Sequence, residues 1–169
     1  GTYKIVANIP YSITSPLLRK IFLLKNPPAA VVLLVQKEVA QRLTAPEGSS
    51  ERGFLTILTE ANAQVKKIRS VYPGSFYPRP RTDSAIISLN LLARSQAKRI
   101  FRPAVEAGFR HKRQTLVNSL VRDLKIPKKL VLEMFASLAL EPLIRPQELS
   151  IDGWLKLSKM LPGQTIVKT

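Results

Sequence analysis

Asn8, Tyr11 and Phe76 are the side chains whose types and settings could do chemistry. Asn8-Ile9-Pro10-Tyr11 follows directly on the apolar run Tyr3-Lys4-Ile5-Val6-Ala7. An asparagine side chain offers a carbonyl acceptor, and the backbone at Ile9 and Pro10 offers further ones. Pro10 fixes its own φ near −65°, so these acceptors point one way, and Tyr11 adds a flat face for a base. Acceptors beside a stacking face suit an adenine amine; the other reading of the four residues is a strand-ending turn. A second segment, Phe76-Tyr77-Pro78-Arg79-Pro80-Arg81, sets aromatics and two arginines on a stiff backbone. Phe76 could stack on an extruded base while Arg79 and Arg81 touch phosphates. A hinge whose aromatics fill a domain junction is the equal alternative.

A third segment, Phe109-Arg110-His111-Lys112-Arg113-Gln114-Thr115, reads as the opening of a helix that continues Leu116-Val117-Asn118-Ser119-Leu120. Cations at a helix N-terminus oppose its macrodipole, which argues that Arg110, Lys112 and Arg113 await an outside anion. A solvated helix start is the bland alternative, and His111 is a surface RNA contact or nothing. Other chemistries lack their residues. The chain has no Cys and one His, which removes disulfides, thiolate zinc sites, thiol catalysis and His-cluster metal sites. No metal is expected. Glu38 and Glu60 are not spaced as a catalytic pair, and Asp83-Ser84 with His111 is no triad signature. Asp83 reads as a strand cap or an arginine partner; Trp154, Met134 and Met160 read as core.

These segments need elements to hold them. A strand at 3–7 runs into the Asn8 turn. Ser15-Pro16 gives an N-cap and a first-turn proline, and Leu17, Leu18, Ile21 and Phe22 recur at helical spacing over 16–25. The β-branched run at 30–36 reads as a buried strand, followed by a helix over 37–43. Residues 45–50 have a mobile-loop composition. A helix over 54–63 and strands at 64–71 and 85–92 follow, the strands flanking the proline-rich segment. Strands alternating with helices predict an α/β sheet with an antiparallel final pair. Beyond Arg94 only helical periodicity remains, over 98–108, 112–125, 128–139 and 150–161. The predicted division is 1–93 for the α/β domain and 94–169 for a small all-helical one.

Charge is the strongest bulk signal. There are 27 Lys+Arg against 11 Asp+Glu, a net +16. Arg94–Lys129 alone holds eleven basic and two acidic residues, so +9 sits in 36 positions. A field of that sign and density attracts a polyanion, nucleic acid first, with a solubility role or anionic lipid as the alternatives. No apolar stretch reaches the ~20 residues that span a membrane. With no signal-peptide pattern and no Cys, the expectation is a cytoplasmic protein with no membrane partner.

In this order, NIPY at 8–11, QKEVAQRL at 36–43, RGFLTIL at 52–58, SFYPRPRTDSAIISL at 75–89 and FRHKRQTLVNSL at 109–120 resemble the ribosomal RNA adenine-N6 dimethyltransferase family, specifically its small-subunit branch. The resemblance covers residues 3 to 161. It implies an enzyme of ribosome biogenesis that uses S-adenosyl-L-methionine to dimethylate two neighbouring adenosines near the 3′ end of small-subunit (16S) rRNA, in a 30S-type ribosomal precursor. It further implies a Rossmann-like methyltransferase sheet followed by a helical RNA-binding domain. Asn8, Ile9 and Pro10 would hold the target amine, with Asn8 also lining the cofactor site, and Tyr11 and Phe76 would sandwich the base. The family's glycine-rich cofactor loop and acidic ribose-binding residue lie upstream of NIPY. The chain has neither, and no G-x-G among its seven glycines. It therefore resembles the C-terminal part of a longer enzyme, inactive alone. A large-subunit (23S) rRNA methyltransferase of the macrolide-resistance type shares NIPY, but QKEV and RQTLVNSL favour the small-subunit branch. A non-catalytic RNA-binding assembly factor is the third reading, against which an intact Asn8 and Tyr11 argue.

Overall fold

The computed structural model describes residues 2–93 and 100–161. Contacts divide the chain into two compact units, Gly1–Ala45 with Leu58–Ala97, and Pro46–Ile57 with Lys98–Thr169. This division runs at 97/98 where 93/94 was expected, and it has a second, unexpected feature. Pro46–Ile57 clusters with the C-terminal unit although it lies between elements of the first.

The first unit is α/β, with a mixed four-stranded sheet. In chain order its elements are β1 (Lys4–Asn8), α1 (Thr14–Leu23), β2 (Ala30–Gln36), α2 (Lys37–Leu43), the end of α3 (Phe54–Asn62), β3 (Ala63–Val71) and β4 (Ser84–Leu91). The spatial order is β1-β2-β4-β3. β1 and β2 are parallel, and β4 is antiparallel to both of its neighbours. The last two strands do form the expected antiparallel pair, but β4 inserts between β2 and β3, so β3 becomes an edge. On one face Val31, Leu33 and Val35 of β2 and Ala85, Ile87 and Leu89 of β4 are buried. The amphipathic helix α2, which contributes Val39, Ala40 and Leu43 to the core, packs on β2, β3 and β4. The opposite face is far less covered: Val6 of β1 is 80% exposed. β3 carries a bulge, because Lys67 pairs with Ile87 and Arg69 with Ile86, leaving Ile68 as the extra residue.

Helix α1 begins two residues earlier than expected, at Thr14, after a single 3-10 turn over Tyr11–Ile13. Its N-cap position is Ile13, so Ser15 is not the cap.

The second unit is helical among its described residues. It holds α4 (Arg102–Arg110), α5 (Leu116–Leu124), α6 (Lys128–Ser137) and α7 (Ile151–Met160). The expected helix start at residues 98 and 99 lies outside the described residues. Fully buried Trp154, Phe135, Leu116 and Leu120 centre the core, and the Trp154 and Phe109 rings lie 6.0 Å apart. Met134 is core as expected, whereas Met160 is 38% exposed at the end of α7. Thr115 caps α5 and Ser150 caps α7, each hydroxyl accepting from a backbone N–H three residues on.

The 46–57 segment is pinned, in contrast to the mobile-loop composition of residues 45–50. Gly48, at φ +82°, donates its N–H to the Gln147 carbonyl at 3.0 Å. The buried Arg52 guanidinium donates to the carbonyls of Gln147 (3.3 Å) and Leu149 (2.6 Å). Among the described residues, no helix is long and apolar enough to cross a membrane.

Candidate nucleobase-binding site

Parallel pairing on β2 carries β1 as far as Asn8, whose register partner is Leu34. There the ladder ends, because Pro10 has no N–H to continue it. Pro10 sits at φ −55° and ψ 132°, and its carbonyl accepts from the Ile13 N–H at 3.1 Å. That bond folds the chain back at once and lifts Tyr11 beside the strand tip. The Tyr11 hydroxyl lies 2.6 Å from Ser84 Oγ, and Ser84, wholly buried, opens β4. Asp83 is fixed in turn by Lys37, which donates its backbone N–H to the Asp83 carbonyl (3.0 Å) and its ammonium to the carboxylate (3.1 Å). Asp83 therefore pairs with a lysine rather than an arginine.

The facing wall comes from the proline-rich segment. Pro73–Ser75 make a 3-10 turn, closed by Ser75 and Phe76 donating to the carbonyls of Tyr72 and Pro73. Phe76 is half-buried, Tyr77 is fully exposed, and the Tyr77–Pro78 peptide is cis. Between the walls lies an open cleft of about 410 Å³, lined by Asn8, Ile9, Pro10, Tyr11, Phe76, Tyr77, Pro78 and Pro80. That volume is in the range of small-molecule sites. All five residues read as amine clamp or base sandwich line this one cleft. Its lining side chains are three aromatic rings, three prolines, Ile9 and the Asn8 amide. No carboxylate lines it.

Ser84 is the member that sequence reasoning missed. It stood in a rejected triad, and nothing in the sequence pairs it with a tyrosine 73 positions away. The cleft also excludes some candidates. Arg79 and Arg81 are exposed but do not line it.

Arg110, Lys112 and Arg113 belong to the second unit, and their setting differs from the expected helix N-terminus. Arg110 closes α4, a favourable end for a cation, and 111–115 form a turn before α5. Arg110 pairs with Asp123 at 3.4 Å, with His111 Nε2 3.9 Å from the same oxygen. The Arg122 hydrogen bond, helped by the charges of Arg122, Arg110 and His111, holds the Asp123 carboxyl below the usual carboxylate range. Lys112 donates to the Ser50 carbonyl. Arg113 is exposed. Among the described residues, no group of three His, Cys, Asp or Glu could hold a metal ion.

The family profile for ribosomal RNA adenine dimethylases matches residues 1–161. The chain belongs to that family. Proteins named "Ribosomal RNA small subunit methyltransferase A" are similar over almost all of it. That of Desulfitobacterium hafniense is 40% identical over 158 residues, 90% of this chain and 56% of its own length. That of Clostridium botulinum is 36% identical over 159 residues, 92% of this chain and 58% of its own. That of Chlamydia abortus is 38% identical over 166 residues, 95% of this chain and 59% of its own. The chain thus spans somewhat over half the length of these curated relatives. Among solved structures, a dimethyladenosine transferase from Plasmodium falciparum aligns with a TM-score of 0.79 at 29% identity, over 92% of this chain and 65% of that one. The 23S rRNA methyltransferase ErmE aligns at 0.64 and 23% identity, over 95% and 65%, a likeness of fold alone. The dimethylase family membership agrees with the resemblance read from the NIPY and FYPRPR segments.

Proposed function

We propose that this chain is the C-terminal part of a small-subunit rRNA adenine-N6 dimethyltransferase, in which Asn8 and Ile9 hold the target amine and Tyr11 and Phe76 flank the base. The observation that carries the proposal is the open cleft, which gathers acceptors and aromatic faces from two segments about 65 positions apart. The Pro10 carbonyl accepts from the Ile13 N–H and keeps a second lone pair; the Asn8 amide oxygen and the Ile9 carbonyl are the acceptors assigned to the two amine hydrogens, with Pro10 beside them shaping the turn.

An adenine amine is a poor nucleophile because its lone pair is delocalised into the ring. Two acceptors on its hydrogens favour a pyramidal nitrogen and turn the lone pair out of that conjugation. Orientation of this kind carries much of the rate gain. Extruding the base costs a few kcal/mol, offset in part by stacking worth ~1–3 kcal/mol per base. When bound, S-adenosyl-L-methionine supplies a methyl carbon activated by the neighbouring sulfonium. Asn8 fits such a site in part. With no carboxylate and no glycine turn among the lining residues, this chain would contribute only one edge of it. The exposed Val6 face and the free edge of β1 support the half-sheet reading, in which the remaining Rossmann-like strands and helices are supplied upstream.

The small-subunit reading is preferred to the large-subunit one because relatives at 36–40% identity bear the small-subunit name, while the 23S enzyme shares fold alone. A 30S-type precursor as substrate implies work in the cytoplasm. The test is Asn8→Ala in the full-length enzyme. Methylation of 16S rRNA should fall at least a hundredfold with RNA affinity within about twofold, as expected for loss of a preorganised polar contact. Full methylation by the variant refutes the proposal and favours a non-catalytic scaffold.

A further inference from the structure

β3 and the loop after it carry a row of cations and an exposed tyrosine, Tyr72, none of which lines the cleft. From Gln64 to Thr82 there are five cations, Lys66, Lys67, Arg69, Arg79 and Arg81, and no acidic residue. All five are exposed, and among the described residues none of their side chains has a hydrogen-bond or ion-pair partner. Tyr72, directly after β3, is 71% exposed.

The bulge decides where two of these cations point. Residues three apart on a regular strand face opposite sides of a sheet. Here Ile68 is absorbed, so Lys66 pairs with Ser88 and Arg69 with Ile86, and both cations join the same face. That face is the one bearing Asn8. Arg69 lies in the row Asn8–Leu34–Ile86–Arg69, and Lys66 in the row Val6–Val32–Ser88–Lys66. Three strand spacings separate Arg69 from Asn8, about 14 Å, or roughly four stacked nucleotides.

We propose that the β3 edge is a second RNA-binding surface, on which Lys66 and Arg69 track the phosphates of single-stranded RNA flanking the target base, Lys67 adds positive charge from the opposite face of the same edge strand, and Tyr72 stacks on one of the bases. It rests on the reading of the cleft as the base site. Charged edge strands also serve to block sheet-to-sheet association, a role for which either sign of charge suffices. RNA distinguishes the two, because it requires positive charge, and unpaired cations interleaved with exposed aromatics are the pattern of single-strand grooves.

The experiment uses the full-length protein without cofactor and two labelled probes: a blunt RNA hairpin, and the same hairpin with an about ten-nucleotide single-stranded flank. Without cofactor, binding is read independently of whether the protein methylates. Lys66→Gln/Lys67→Gln/Arg69→Gln should lower affinity for the flanked probe and reduce its log–log salt slope by about two, with the blunt probe little changed. The corresponding triple Glu variant keeps a charged edge, should remain unaggregated and should bind the flanked probe more weakly still. Tyr72→Ala should lower affinity about tenfold with the slope unchanged. Either triple variant binding the flanked probe like wild type, or losing equally on both probes, overturns the assignment. So does loss of binding to phosphatidylglycerol vesicles with RNA affinity intact.

Discussion

The Tyr11 hydroxyl and Ser84 Oγ, 2.6 Å apart, join the turn after β1 to the first residue of β4, two segments that meet only in the folded sheet. On the proposed reading of Tyr11 as a wall of the base site, Ser84 is a positioning residue. Replacing it by alanine leaves the half-buried phenol without that partner, at a cost of about 1–2 kcal/mol in stability, and frees the ring to tilt. Ser84→Ala in the full-length enzyme should lower single-turnover methylation several-fold with RNA affinity little changed, and Ser84→Thr should restore most of it. An equal loss in both variants would mark Ser84 as packing alone. Asn8 and Tyr11 were legible in the sequence because strand end, proline and aromatic are contiguous, so their geometry is set locally. Ser84 was not, because its partner is chosen by the sheet order. The same limit hid the pairings of Arg110 and Lys112. A run of cations reads as free charge until Asp123 and the Ser50 carbonyl are found beside it; of the three, Arg113 alone has no side-chain partner among the described residues.

Elements were read well where periodicity governs them. The run Ala30–Gln36 alternates around a buried face, and α2 begins and ends as its pattern predicts, because burial on the sheet selects both. The insertion of β4 between β2 and β3 had no such signal, since alternation identifies a strand but not its neighbours. The bulge at Ile68 was equally hidden, yet it decides which face Arg69 joins. At α4 and α5 the basic run masked a helix break, and Asp123 supplies what the helix start lacked. It is fixed on α5 and draws Arg110 at the end of α4 and His111 after it. Its carboxyl ionises at lower pH in the folded chain than in the unfolded one, so its contribution to stability is complete above about pH 5 and is lost as pH falls through the folded value. Asp123→Asn should therefore lower the urea midpoint at neutral pH, with the gap to wild type narrowing as the pH falls below about 4. A gap that persists in acid would show that the side chain acts through packing instead.

For the molecule as a whole, family and charge were visible in composition and motif order. The assignment of 46–57 to the helical unit was not, because Arg52 in RGFLTIL reads as an ordinary surface cation until its carbonyl partners are known. The half-site reading makes a direct prediction: calorimetric titration of the 169-residue chain with S-adenosyl-L-methionine should give no micromolar binding, and micromolar affinity would refute it. The backbone passes between the two units three times, at 45/46, 57/58 and 97/98. A single cut near residue 93 would strip the helical unit of Ile57 from its core and leave the carbonyls of Gln147 and Leu149 without the guanidinium that satisfies them. Neither half can then be shuffled into another protein as one contiguous cassette. Recombination that respects this architecture must exchange the whole stretch or graft two separated pieces together.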